Sequence, residues 1–222
     1  MAKVKVLRDL ISGEEYWNEV ATGRQFRRMT GALVWPEFCR DNLAPGALVV
    51  LGETRARENV LGGRHLVFLL EESRASDVNR LVDMLARAQD DWKVRRWATP
   101  LSDSRICLLD DYNDELRSMN RRQIRFGDPL GWAGKGEGLL PYYHALVQRR
   151  TMGEKTLFLG KESSGAAEIG KLRPEDASRK PTDFPGAAAV MFALAEIDAA
   201  PMPEWGERPT FEGGPADLLG GY

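Results

Sequence analysis

Three short apolar runs followed by one strongly amphipathic segment constrain this chain more than any other feature. The runs are GALVW (31–35), GALVVLGE (46–53) and RHLVFLLEE (64–72). Their lengths, β-branched content and bounding Pro and Gly residues favour strands over helices. The linkers PEFCRDNLAP and TRARENVLGG predict hairpin or meander connections with rather long loops. Because the second and third runs alternate poorly, both faces of their sheet should be covered. In SDVNRLVDMLARAQDDW the residues Val78, Leu81, Val82, Leu85, Ala88 and Trp92 recur at helical spacing. That segment predicts a helix capped by Ser76.

Around this centre the pattern is less regular. Residues 1–30 read as a polar, largely helical lead-in, with Ser12 and Glu15 at capping-box spacing. A strand is expected at 94–99, ended by Pro100, and DDYNDELRSMNRRQI reads as a polar helical stretch. FGDPLGWAGKGEG (126–138) is a Gly-rich loop entering the predicted helix GLLPYYHALVQRR. Its backbone amides and Lys135 invite a phosphate, but the GxxxxGK[ST] spacing of a P-loop is absent. KTLFLG (155–160) reads as a strand, 161–182 as polar loop, and DFPGAAAVMFALAEID (183–198) as a packed final helix. Asp183 is either the N-cap of that helix or a carboxylate brought to a metal. Residues 201–222 are rich in Gly and Pro and predict an extended tail, with Trp205, Phe211 and Tyr222 as anchors on a protein partner.

Composition narrows the function classes. With 222 residues, 43% hydrophobic and 29% charged, the chain suits one domain plus a tail. No apolar run approaches the ~20 residues of a membrane-spanning helix, and MAKVKVLRDL is too short and too charged for a secretory leader. A cytoplasmic protein without a membrane partner is expected. Cys39 and Cys107 stand far apart outside any CxxC or Cys/His spacing and read as buried reduced thiols. His65 and His144 sit within apolar segments and read as structural. The net charge of −2 gives no global attraction to nucleic acid. Arginine clusters can still touch phosphates locally, and Arg95, Arg96, Arg121, Arg122, Arg125 and Lys135 are the candidates. Solvated helix faces explain the same clusters equally well.

The elements run β-β-β-α-β-(α)-α-β-α. Three consecutive strands, a helix, then strands alternating with helices is the order of the RNase H-like fold, a three-layer α/β/α arrangement with a mixed sheet. On PGALVVLGE, RHLVFLLEE, the Ser76–Trp92 helix, KTLFLG and DFPGAAAVMFALAEID, the chain resembles the nuclease half of phage terminase large subunits over about residues 31–200. The resemblance implies two divalent metals, Mg²⁺ or Mn²⁺, held by carboxylates from the first strand, the fourth strand and the last helix. Asp183 stands near the last-helix position, Asp103 lies past the fourth strand, and Glu37 and Glu53 flank the first two runs. GALVW itself carries no acid, so a degenerate site without hydrolysis is favoured and no cofactor is expected. The expected function is a phage or mobile-element protein that associates with DNA or a nucleoprotein assembly. The alternatives are a metal-dependent DNA nuclease with displaced ligands and a structural component of a larger particle.

Overall fold

The apolar runs become the centre of a mixed eight-stranded sheet. The computed structural model describes residues 2–39, 42–55, 60–61, 64–99, 109–127, 146, 156–160, 162–173, 175–176 and 180–199. The chain begins with β1 (Val4–Arg8), β2 (Glu15–Glu19) and the long β3 (Gln25–Val34). A small hairpin of β4 (Glu37–Cys39) and β5 (Asn42–Ala44) leads into β6 (Gly46–Thr54). A second hairpin, β7 (Val60–Leu61) with β8 (Arg64–His65), leads into β9 (Val67–Ala75). Then come α1 (Val78–Trp92), β10 (Trp97–Ala98), α2 (Leu109–Ser118), β11 (Phe126–Gly127), β12 (Leu157–Phe158), α3 (Ser164–Lys171), a 3-10 turn (Pro181–Asp183) and α4 (Pro185–Ala199).

β3 organises the sheet because one of its edges serves two neighbours. Its first residues pair with β2 (Trp17↔Phe26), and further along Gly31 and Ala32 pair with β10 in parallel. The other edge is taken by antiparallel β6, which pairs in turn with antiparallel β9. β11 lies parallel to β10, and β12 parallel to β9. Every residue of β6 is buried, as a strand covered on both faces must be. One face packs Phe26, Leu33, Leu48 and Val50 against Leu81, Leu85 and Trp92 of α1 and Leu116 of α2. The opposite face packs Ala32, Val34, Ala47, Val49 and Leu51 against α4, with Ile169 of α3 and Leu146 behind it. Each fully buried Leu or Val contributes about 1.5–3 kcal/mol. The result is an α/β protein with helices on both sides of a mixed sheet.

Several expectations need correction. Residues 1–30 are not a helical lead-in: residues 4–34 form strands, and β2 hydrogen-bonds into the main sheet. In EYWNE only Trp17 is buried, so β2, second from the edge, carries one core residue in a polar sequence. Ser12 does not cap a helix but sits in the β1–β2 turn, where its amide donates to Asp9 Oδ1 at 2.9 Å. The cap of α1 is Asp77, which accepts from the Arg80 amide at 2.9 Å, in place of Ser76. The stretch 161–182, expected as loop, holds α3, whose N-cap Ser163 accepts from the Ala166 amide at 3.0 Å. The Gly-rich loop beyond Gly127, Lys135, His144, Asp103, Cys107, the side chain of Cys39 and the tail at 201–222 lie outside the described residues.

α4 is capped from a distance. Asp183 belongs to the preceding 3-10 turn, is exposed, and its side chain accepts no hydrogen bond from the described residues. The Ala187 amide in the first turn of α4 donates instead to Glu168 Oε2 at 2.9 Å. Glu168 is itself on α3 and pairs with Arg74 at 2.5 Å. The two helices approach closely because Gly165 faces Gly186: a Cβ built on Gly186 would lie 2.9 Å from the Gly165 Cα. Glu168→Ala should therefore lower stability by about 1–2 kcal/mol, while Asp183→Ala leaves it unchanged. Urea midpoints of the two variants check this, and a larger loss from Asp183→Ala would restore the local cap. No helix among the described residues is long and apolar enough to cross a membrane.

Candidate functional site

The basic candidates sit where α1 hands over to β10. Lys93, in the left-handed region at φ 55°, ends α1, and the chain then alternates: Val94 buried, Arg95 and Arg96 exposed, Trp97 buried. Parallel pairing of β10 with β11 brings the 120–125 stretch alongside, and the Trp97 amide donates to the Arg125 carbonyl at 2.8 Å. That stretch has no regular structure, yet polar side chains pin its backbone. Buried Gln89 donates to the Arg122 carbonyl at 2.7 Å, and Asn113 Oδ1 accepts from the Ile124 amide at 2.8 Å. A fixed backbone thus presents exposed arginine side chains.

Three of the six candidates converge. Burial first, then the neighbouring charges of Arg95 and Arg125, lower the pKa of Arg122 from its ordinary value. Its guanidinium remains charged at neutral pH, and the shift reflects partial burial first and the nearby like charges second. Among the described residues neither Arg122 nor Arg125 has an ion-pair partner, whereas Arg95 is bonded to Glu15 and lies 5.3 Å from the Trp17 ring centre. Arg121 is held by Asp90. Arg96 turns away across Gly127 toward Glu196 of α4, at 3.6 Å. Lys135 lies outside the described residues.

The acidic candidates do not assemble. Glu53, at the end of β6, is buried and receives Arg27 Nε at 3.0 Å. A bulge in β3 between Phe26 and Arg28 turns both Arg27 and Arg28 toward it. Arg27 also meets His65 Nε2 at 2.6 Å, and Arg28 donates to the Ile197 carbonyl near the end of α4. Burial lowers the pKa of Arg28, opposed by Glu53, Glu196 and Asp198. This is a structural charge cluster. Glu37 lies beyond the opposite end of β3, accepts from Thr182 Oγ1 at 2.7 Å and faces Lys180 Nζ at 3.5 Å. The six strand steps from Arg28 to Val34 span about 20 Å, with Glu53 at one end of them and Glu37 beyond the other. Asp183, beside Thr182, shares the Glu37 end of the sheet, and Asp103 is outside the described residues. A two-metal centre needs several carboxylates around one point, and this donor set does not fit it. No group of three or more His, Cys, Asp or Glu among the described residues is arranged to hold a metal ion.

Comparison with family models, with curated proteins and with solved structures found no match. The assignment therefore rests on the geometry of this chain alone. Sequence reasoning missed the polar relay that joins β9 to α3. Glu72 accepts from Ser163 Oγ at 2.6 Å and from the Gly165 amide at 2.9 Å, with the Ser164 hydroxyl also bonded to it. The relay lines a cleft of about 300 Å³ beside residues 69–74. Its signal was the serine pair ahead of the small-residue run SGAAEIGK, an N-cap pattern within a stretch otherwise read as loop. The Glu72 carboxylate already occupies the helix N-terminus, so this cleft carries a cap.

Proposed function

We propose that this chain is a nucleic-acid-associated or assembly protein of phage or mobile-element type, on an RNase H-like scaffold without hydrolytic activity. The observation that carries the reading is the parallel pairing of β10 with β11, which sets the Arg95 stretch beside the Arg122–Arg125 stretch, with Arg122 and Arg125 outside any ion pair among the described residues. Support for the scaffold comes from three consecutive antiparallel strands, β3, β6 and β9, then α1 leading to a strand parallel to β3, with helices on both faces. Support for the absence of hydrolysis comes from the separation of Glu53 from Glu37, each already held by a basic or hydroxyl partner. Guanidinium groups suit phosphate because their planar donor fork matches its oxygens.

The test is binding of labelled double-stranded DNA across a salt series. Each phosphate contact contributes about −0.9 to the slope of log K against log salt, so Arg122→Ala with Arg125→Ala should reduce the slope by about 2. An unchanged slope removes these arginines from the interface. The same samples with Mn²⁺ should show no cleavage. Cleavage that disappears with Asp183→Ala would replace this reading with the nuclease.

A further inference from the structure

Among the described residues, the two most exposed large apolar residues stand at the tip of the β1–β2 hairpin. Leu10 and Ile11 have relative exposures of 101% and 99%, far above the next most exposed, Met119 at 55%. An apolar pair at a hairpin apex costs solubility, and a flexible loop would fold such residues back onto the surface. This turn is built to prevent that. Asp9 Oδ1 accepts from the amides of both Ile11 and Ser12 at 2.9 Å. The Asp9 amide donates to the Glu14 carbonyl at 2.8 Å, and the Gly13 amide to the Asp9 carbonyl at 2.9 Å. Gly13 supplies the left-handed residue at φ 72° that closes the turn. Arg8 Nε donates to the Gly13 carbonyl at 2.7 Å, and Arg55 holds the other Asp9 oxygen while lying 4.4 Å from the Tyr16 ring centre. The Ser12 amide first, then Arg55 and the Ile11 amide, keep the Asp9 carboxyl well below the usual carboxylate range.

The base of this tip is continuous with the basic surface. Arg8 is the register partner of Glu15, and Glu15 is bonded to Arg95. Arg95 lies two residues before Trp97, whose amide donates to the Arg125 carbonyl at 2.8 Å, so the Arg95 and Arg122–Arg125 stretches run side by side. An apolar point therefore projects from a turn that carries Asp9, Glu14 and Glu15, with Arg8, Arg55 and Arg95 at its base, the last two paired with Asp9 and Glu15. A protein-docking patch spreads apolar surface over several hundred Å². Here the fully exposed part is Leu10 and Ile11 on a rigid turn with guanidinium groups at its base, with Val6 and Leu7 less exposed, at 40% each, further down β1. Proteins that kink a duplex combine cationic backbone contacts with an apolar wedge, often Leu or Ile, driven between base steps.

We propose that the β1–β2 hairpin is a wedging arm: Leu10 and Ile11 enter between base pairs of duplex DNA whose backbone is held by Arg8, Arg95, Arg122 and Arg125. This rests on the nucleic-acid reading above. The experiment uses the full chain and a duplex carrying 2-aminopurine at successive positions, whose fluorescence rises when its stacking is broken. Wild-type protein should raise the signal at one step. Leu10→Ser with Ile11→Ser should abolish the rise and weaken binding about tenfold, leaving the salt slope unchanged. Both side chains lie in solvent, so the variant keeps the wild-type melting curve. Wild-type binding with an arginine-dependent salt slope but no unstacking overturns the wedge alone. No binding of duplex DNA by wild-type protein overturns the nucleic-acid reading and the wedge with it. A double variant that binds and unstacks DNA like wild type, or that alters only self-association, also overturns the wedge.

Discussion

Trp97→Ala should cost the fold about 3–5 kcal/mol, measured as a lowered urea midpoint. Trp97 is fully buried at the crossing of β10 with β3, and its indole Nε1 donates to Gln89 Oε1 at 3.3 Å. Its ring occupies the space that a side chain on Gly31 would need, since a Cβ there would come within 2.3 Å of ring carbons. Gly31→Ala in the wild-type background should itself cost about 1–3 kcal/mol through overpacking. Once Trp97 is alanine that clash is gone, and the same glycine substitution should become nearly neutral. The double-mutant cycle isolates this term, and additive costs would show that something other than Trp97 keeps position 31 small. The loss also reaches the basic surface, because Gln89 holds the Arg122 carbonyl as well as the indole.

Arg27→Met should remove about 3–5 kcal/mol by leaving the buried Glu53 carboxylate without its closest cation. The Glu53 side chain is 5% exposed, against 18% for Arg27, so water does little to replace the lost partner. Changing Glu53→Leu in the same chain should recover most of the loss, because an apolar pair of similar size carries no desolvation penalty. Equilibrium unfolding of both variants decides it. Arg28 lies close enough to Glu53 to feel its charge, and a single-variant cost below about 1 kcal/mol would show that Arg28 alone neutralises it.

What the residues revealed in advance depended on how many of them faced the interior. β6 is buried along its whole length, so GALVVLGE is almost continuously apolar and reads as a strand without ambiguity. The outer strand β1 buries Val4 alone in VKVLR, and its neighbour β2 buries Trp17 alone in EYWNE. A period of two cannot be seen in one residue, and the chance spacing of Ser12 and Glu15 supplied a false helix start. α3 has eight residues of mostly small side chains, which leaves little periodicity to detect. The acid constellation failed for a different reason. Whether Glu37 and Glu53 meet depends on their register along β3 and β6, a long-range property that local spacing does not encode. For the arginines the parallel pairing of two short strands sets the two sequence stretches side by side, while Arg96 and Arg121 are taken up by Glu196 and Asp90.

α4 has a consequence for how this chain comes into being. Every residue from Pro185 to Ala195 is buried, so over these eleven residues the helix has no polar face to show to water. While the protein is being synthesised, Ala32, Val34, Ala47, Val49 and Leu51 stay uncovered until that segment has left the ribosome. The side of the sheet that α1 covers can be closed long before the other. A nascent chain of this protein therefore carries one closed face and one open apolar face from the emergence of Ile124 until α4 follows, the condition in which chaperones and self-association compete for the same surface.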